Sequence, residues 1–418
     1  MEKEKNFYDI LKNRGFIEQV TDEKEIKKLF EKQKITFYIG FDPTAPSLHI
    51  GHLLSLMVMA WAQKFGHQPI FLAGGGTGLI GDPSGKDKAR PLMNYQTIKK
   101  NISLIKKQVS RFLNFKGKKG LLLNNAYWLS KLNYIEFLRD FGVHFRVNRM
   151  LTHEGIESRL EKGLSFLEFN YQLLQAYDFW YQFKHYHCLM QMGGSDQWGN
   201  IVAGIELIKK LENKNTYGIT FPLITTAEGK KMGKTEKGAV WLDKNLTSPF
   251  DYYQYWINTD DRDVKRFLLL FTFLPIEEVN QLASLSGSEI KKAKEVLAFE
   301  TTKMVHGLKS AIAVQKSSKK LFNKQEDKIE NFSVPTFFLS WQEIKNGILL
   351  SKLFFLVGLV KSVSEGKRLI AQGGGYLNKK RINDPNFIVQ EKDFQNSEVL
   401  LRAGKKKYFL VKIEKKNR

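Results

Sequence analysis

The chain has 418 residues, 42% hydrophobic and 26% charged, a balance that excludes disorder throughout and predicts about two to four domains. Its 66 Lys/Arg against 43 Asp/Glu give a formal charge of +23, which predicts a polyanionic partner, and its single Cys excludes a disulfide framework or a Cys-rich zinc or iron–sulfur site. No apolar leader follows Met1, and the most apolar run, 348–360, carries Lys352 and is shorter than the roughly 20 residues of a membrane span, so the reading is a cytoplasmic protein with no membrane association.

In chain order, the first strong signal is a β-rich run at 35–41 that ends in the turn 42–46. An apolar helix is expected from His49 to about Phe65, then a buried strand at 68–73 running into the glycine-rich segment 74–78. Strand, helix, strand is a βαβ unit, which implies a parallel sheet. Runs at 121–123 and 188–192 supply further strands, with helical patterns between them.

His49 and His52, three apart at the expected helix start, share a face. Exposed N–H groups there favour phosphate, and Gly51 gives a ligand close access to the backbone. No third metal ligand lies within the next turn, so no zinc is expected. Two plain core or surface histidines are the equal alternative.

The segment 76–81 fits G-x-G-x-x-G, but no acid follows within 97–105, so a dinucleotide site is disfavoured. A P-loop reading around Gly85-Lys86 fails because position 80 is Ile and Asp87 stands where Ser or Thr is needed. What remains is a glycine loop carrying Asp82, Lys86 and Arg90, whose charges favour a ligand over a plain turn.

Within 169–180, Tyr171, Gln175 and Asp178 lie at i, i+4 and i+7 and form one narrow helical stripe. A carboxylate flanked by this much hydrophobe is costly to bury unpaired, so the stripe faces either solvent or a polar ligand. Asp82 and this stripe together could hold an ammonium. In 185–188, alternation on a strand would put His185 and His187 on one face and Cys188 on the other, against a metal site. The loop 225–235 is polar, glycine-punctuated and rich in lysine, suited to a triphosphate whose charge grows on the leaving pyrophosphate.

Beyond Trp241 the pattern turns helical to about Lys320, and 323–335 is polar. From Gln342 onward 17 Lys/Arg face 7 Asp/Glu, a concentration that phosphate contacts explain better than composition alone. The expected fold is α/β: a Rossmann-like parallel-sheet domain over 1–247, a small all-α domain over 248–320, a linker over 321–345 and a basic α+β module over 346–418.

Taken together, His49-Ile50-Gly51-His52 and Lys231-Met232-Gly233-Lys234-Thr235 resemble the two signature motifs of class I aminoacyl-tRNA synthetases. The segments 40–44, 81–86, 175–178 and 194–200 are similar to the bacterial tyrosyl-tRNA synthetases, and the likeness covers essentially the whole chain. Residues 362–368 with 372–380 resemble an RNA-binding module shared with a small-subunit ribosomal protein. One departure is Gly233 and Thr235 where the general motif has serines; Thr235 keeps a hydroxyl.

This resemblance implies that Tyr38 and Asp178 hold a substrate phenol, that Asp82, Tyr171 and Gln175 hold its ammonium, and that Gln197 holds its carboxyl end. It implies ATP contacts at Gly40, Asp42, His49, His52, Gly194, Asp196, Lys231 and Lys234. Lys86, Arg90, Lys231, Lys234 and Thr235 would serve the transition state and pyrophosphate beside the two histidines. It further implies Mg²⁺ carried with ATP, tRNA(Tyr) and L-tyrosine as partners, RNA contacts at Lys367, Arg368, Lys379, Lys380 and Arg381, and a homodimer with Phe166 in its interface. The rival readings are a tryptophanyl-tRNA synthetase, an RNA-binding relative without catalysis, and a nucleotidyltransferase making a dinucleotide cofactor.

Overall fold

The computed structural model describes residues 6–84, 93–151, 160, 163–229, 232, 234–235, 238–322, 335–378, 380–404 and 407–414. These form two compact units, one of Met1–Asp243 with Thr259–Ala293 and one of Lys244–Asn258 with Lys294–Arg418.

The first unit is built on a six-stranded sheet in the order β1-β6-β5-β2-β3-β4: β1 (Gln19–Val20), β2 (Thr36–Phe41), β3 (Gln68–Ala73), β4 (Leu121–Asn124), β5 (Cys188–Gly194) and β6 (Tyr217–Phe221). All neighbours are parallel except β1, which runs antiparallel to β6. The near-continuous apolar runs of β2 and β3 are buried along most of their length, as strands covered on both faces must be. The helix Ile50–Lys64 returns the chain between them and buries ten of its residues. From β2 the sheet grows one way through β3 and β4, and the other way through β5 and β6. Ligand crevices form beyond the carboxyl ends of strands at such a reversal, so Asp42 after β2 and Asp196 after β5 are placed at its mouth.

The sequence reading of 185–188 as strand is corrected. The helix Tyr171–Tyr186 continues through His185, His187 closes it in the left-handed conformation at φ 53°, and β5 begins at Cys188. Histidine is among the non-glycine residues that enter that conformation most readily, and the position after a helix C-terminus commonly demands it.

The all-α stretch expected at 248–320 is divided between the units. The helix Val264–Phe271 is held in the first by Arg14, whose buried guanidinium donates to the carbonyls of Leu269, Thr272 and Leu274 and lies 4.4 Å from the Trp61 ring. In the second unit the helices Pro249–Ile257 and Leu308–Phe322 pack together, with Gln254 Nε2 donating to Ser318 Oγ. The module after them is a five-stranded sheet covered by the helices Leu350–Leu356 and Val363–Ala371 around a core of Leu353, Phe354, Ile370, Val399, Leu401 and Val411. It starts earlier than expected: Thr336–Leu339, inside the span read as linker, is a strand paired in parallel with Lys407–Ile413, and Trp341–Lys345 is helical.

Candidate active site

The helix Ile50–Lys64 begins with a reciprocal cap. His49 Nδ1 accepts from the Gly51 amide at 3.0 Å, the His49 amide donates to His52 Nδ1 at 3.2 Å, and the ring centroids are 4.0 Å apart. With Nδ1 an acceptor on both rings, the neutral imidazoles carry their proton on Nε2, a donor suited to phosphate oxygen. Gly51 has a reason that the sequence did not show: a Cβ there would stand 2.7 Å from His49 Cε1.

From Asp42 to Asp178 runs a chain of half-buried and buried hydrogen bonds. Asp42 accepts from Thr77 Oγ1 at 2.9 Å and from the Tyr171 hydroxyl at 3.4 Å. Asn125 Nδ2 donates to Thr77 Oγ1 at 3.0 Å and to Asp178 Oδ2 at 2.8 Å, and Trp128 Nε1 donates to Asp178 Oδ1 at 2.6 Å. The glycine run after β3 exists for these groups: a Cβ on Gly74 would lie 2.2 Å from Asp42 Oδ1, and one on Gly75 2.1 Å from Asn124 Oδ1.

Asp178 is 2% exposed. Burial pushes its carboxyl up to about 7, against the two donors that pull it down. Tyr38, 1% exposed on β2, presents a buried hydroxyl with no hydrogen-bond partner among the described residues. Burial first, and the Asp178 charge second, hold that phenol well above its ordinary range. The two groups the resemblance joins are therefore both buried, Tyr38 on the sheet and Asp178 on the helix Tyr171–Tyr186, and feel each other electrostatically without a hydrogen bond between them.

A second network surrounds Asp82. Its Oδ2 accepts from Gln197 Nε2 at 2.7 Å and its Oδ1 from the Ser84 amide at 2.9 Å. Gln197 Oε1 accepts from Gln175 Nε2 at 3.3 Å and Asn200 Nδ2 at 3.1 Å, and Asn200 also reaches Gln175 Oε1 at 3.1 Å. The helical stripe is thus buried, but its members serve different partners: Tyr171 reaches Asp42, Gln175 joins the Asp82 network, and Asp178 meets Asn125 and Trp128. Gly40 lies exposed on β2. Gly194 precedes the 3-10 turn Ser195–Gln197, and a Cβ there would stand 2.7 Å from Asp196 Oδ1.

Lys86, Arg90, Lys231 and Lys379 lie outside the described residues, and for Lys234 and Thr235 only the backbone, a strand facing Gly238–Ala239, is described. In the second unit Lys367 Nζ donates to Asn386 Oδ1 at 3.1 Å, Arg381 pairs across strands with Tyr376, and Lys380 and Arg381 are exposed. Phe166 is 68% exposed. Sequence reasoning missed Asn125, Trp128 and Asn200. A signal existed for the first, a polar Asn124-Asn125 pair straight after an apolar run, which is where a parallel strand ends in a crevice.

A family model described as tRNA synthetases class I (W and Y) matches residues 31–323, and one described as the tyrosine–tRNA ligase SYY-like C-terminal domain matches 332–411. A tyrosine–tRNA ligase of Clostridium botulinum is 51% identical over 98% of this chain and all of its own length. The chain belongs to the class I tyrosine–tRNA ligases. Within that family it is also 52% identical to the ligase of Acetivibrio thermocellus, over 97% of this chain and 99% of that one. Among solved structures it is similar to a C-terminally truncated mitochondrial tyrosyl-tRNA synthetase of Aspergillus nidulans, at a TM-score of 0.69 and 34% identity over 76% of this chain and 94% of the other.

Proposed function

We propose that the crevice at the carboxyl ends of β2 and β5 activates L-tyrosine with ATP and passes it to tRNA(Tyr). The chain is an ATP-dependent aminoacyl-tRNA ligase for tyrosine. The observation that carries the site assignment is the pairing of a buried carboxylate, Asp178, with a buried phenol lacking a partner, Tyr38. A substrate phenol would donate to Asp178 and accept from Tyr38. A bare phenyl ring in the same place would leave the buried Tyr38 hydroxyl unpaired, which is costly.

In this reading Asp82, steadied by Gln197 and the Ser84 amide, takes the substrate ammonium with Gln175 and Tyr171 at its flank, and Gln197 directs the carboxylate. His49 and His52 donate from Nε2 to ATP phosphates, Asp42 and Gly40 line the nucleotide, and Gly194 and Asp196 receive the ribose. The tyrosine carboxylate attacks the α-phosphorus, the bond to the β-phosphate breaks, and pyrophosphate leaves. Lys86, Arg90, Lys231, Lys234 and Thr235 answer the charge that grows on it. A ribose hydroxyl at the tRNA end then attacks the tyrosyl carbonyl and releases AMP. The work of the protein is positioning and charge stabilisation. Mg²⁺ enters on the triphosphate as part of the nucleotide substrate.

The basic module, with Lys367, Arg368, Lys379, Lys380 and Arg381, takes tRNA phosphates. A homodimer is supported by large apolar side chains left exposed in the first unit, Ile135 at 71%, Val143 at 70% and Phe166. A cytoplasmic location belongs to the same proposal; no helix among the described residues is long and apolar enough to cross a membrane. The test is ATP–pyrophosphate exchange with each of the twenty amino acids. Exchange with tyrosine alone is expected, falling by about two or more orders of magnitude in Asp178→Ala; exchange driven by tryptophan, or by none, overturns the reading.

A further inference from the structure

We propose that Asp263 and Arg266 are positioning residues that hold the stem of the 225–235 loop, and through it set where Lys231 and Lys234 act. Asp263 immediately precedes the helix Val264–Phe271, a position where aspartate ordinarily bonds its own helix amides. Its side chain makes no such cap. Instead the carboxylate is turned onto the loop stem: Oδ2 accepts from the Ala227 amide at 2.7 Å, while Oδ1 accepts from the Arg266 guanidinium at 2.7 Å. The same guanidinium donates to the Thr225 carbonyl. One ion pair thus takes a carbonyl and an amide two residues apart on the same strand of backbone. The carboxylate end of the clasp is buried, Asp263 being 4% exposed, while the Arg266 side chain stays 43% exposed; losing Arg266 therefore leaves a buried carboxylate without its charged partner, which is the costly side of the pair.

The stem is pinned again where it returns. The Gly229 amide donates to the Thr226 carbonyl at 2.8 Å and the Met232 amide to the Ile224 carbonyl at 2.8 Å, with the Met232 side chain buried. The clasp itself is anchored at its far end. The helix that carries Asp263 and Arg266 ends in the carbonyls held by Arg14, and Arg14 stacks on Trp61 of Ile50–Lys64. That helix starts at the His49 cap. The loop stem and the histidine cap are therefore tied to the two ends of one packed path, His49 to Trp61 to Arg14 to Asp263. Such a path fixes the loop stem at Thr225 and Ala227 relative to the histidines without either clasp residue lying in the crevice.

The inference rests on the proposed role of Lys231 and Lys234 in adenylate formation. It is tested on the full chain by single-turnover tyrosyl-adenylate formation, with tyrosine dissociation constants from intrinsic fluorescence, for Asp263→Ala, Asp263→Asn, Arg266→Ala, Arg266→Lys, Lys234→Ala and the Asp263→Asn/Lys234→Ala double variant. Asp263→Ala and Arg266→Ala are expected to slow adenylate formation roughly 10–100-fold, the scale of a displacement of about 1 Å in a reacting geometry, with tyrosine affinity unchanged within about twofold. Arg266→Lys restores part of the rate, and the double variant is no slower than Lys234→Ala, since both act through one group. Amide exchange at Ala227 quickens in the Asp263 variants and not in Lys234→Ala. Should Asp263→Ala fail to fold, Asp263→Asn and Arg266→Lys decide by the same readings. Unchanged rates, or tyrosine affinity lost in step with rate, overturn the clasp. A normal rate for Lys234→Ala overturns the loop reading beneath it, and is told apart because it appears in that variant alone.

Discussion

The Asp178 carboxyl, raised by burial to about 7 from an ordinary 3.8, makes its buried setting a source of instability. Unfolded, the group ionises near pH 4; folded, it holds its proton until about 7. Across that window the folded state binds more protons than the unfolded one, so stability falls as pH rises from about 4 to 7 and levels off above it. Asp178→Asn removes the titration. It also strands one of the two donors on this group, because an amide offers one oxygen where Asn125 and Trp128 present two N–H groups, at a cost of about 1 kcal/mol. The expected signature is therefore a change of slope: the wild-type Tm declines over pH 4–7 relative to the variant, by on the order of a few degrees, while tyrosine activation is lost. Parallel Tm–pH curves would mean that Asp178 is ionised in the fold without penalty.

At the scale of elements, β2, the helix Ile50–Lys64 and β3 were legible to within a residue or two, because apolar runs bounded by a proline-bearing turn and a glycine run leave one arrangement open. The sequence left the 171–178 stripe facing either solvent or a polar ligand, with its flanking aromatics counting against solvent, and the fold buries it. Its partners were not legible, since Asn125 and Trp128 stand about fifty positions away in sequence and only the β3–β4 pairing brings them in. The short strands β1 and β6 and Thr336–Leu339 carry too few residues to announce a period. Gly51 has a second reason that its sequence did not announce: a Cβ there would meet the His49 ring. Gly51→Ala is accordingly expected to displace that ring, through a 2.7 Å contact, and to slow adenylate formation about tenfold or more with tyrosine binding kept. The comparison of exchange rate with fluorescence-measured affinity checks it, and an Ala variant as fast as wild type would show that the ring can step aside without cost.

Across the whole molecule, charge and chemistry are separated along the chain. The proposed catalytic constellation lies within 38–243, whereas the last 77 residues carry 17 Lys/Arg to 7 Asp/Glu. A module that binds phosphates contributes a measurable electrolyte effect, log K falling with log salt by about 0.7–0.9 per phosphate neutralised. The place to divide the chain is set by the sheet. A cut at Gln342 would strip Thr336–Leu339 of its partner strand Lys407–Ile413 and expose Leu339, whereas a chain ending at Phe322 keeps the helix Leu308–Phe322 packed on Pro249–Ile257. That truncated chain is expected to form tyrosyl-adenylate within about twofold of the full rate, to lose about a hundredfold or more in tRNA charging, and to show a tRNA-binding salt slope between 50 and 200 mM that is shallower by several units. Adenylate formation that fell with charging would tie the module to the first step, and an unchanged slope would mean that its lysines meet no phosphate and that its positive charge serves something other than RNA.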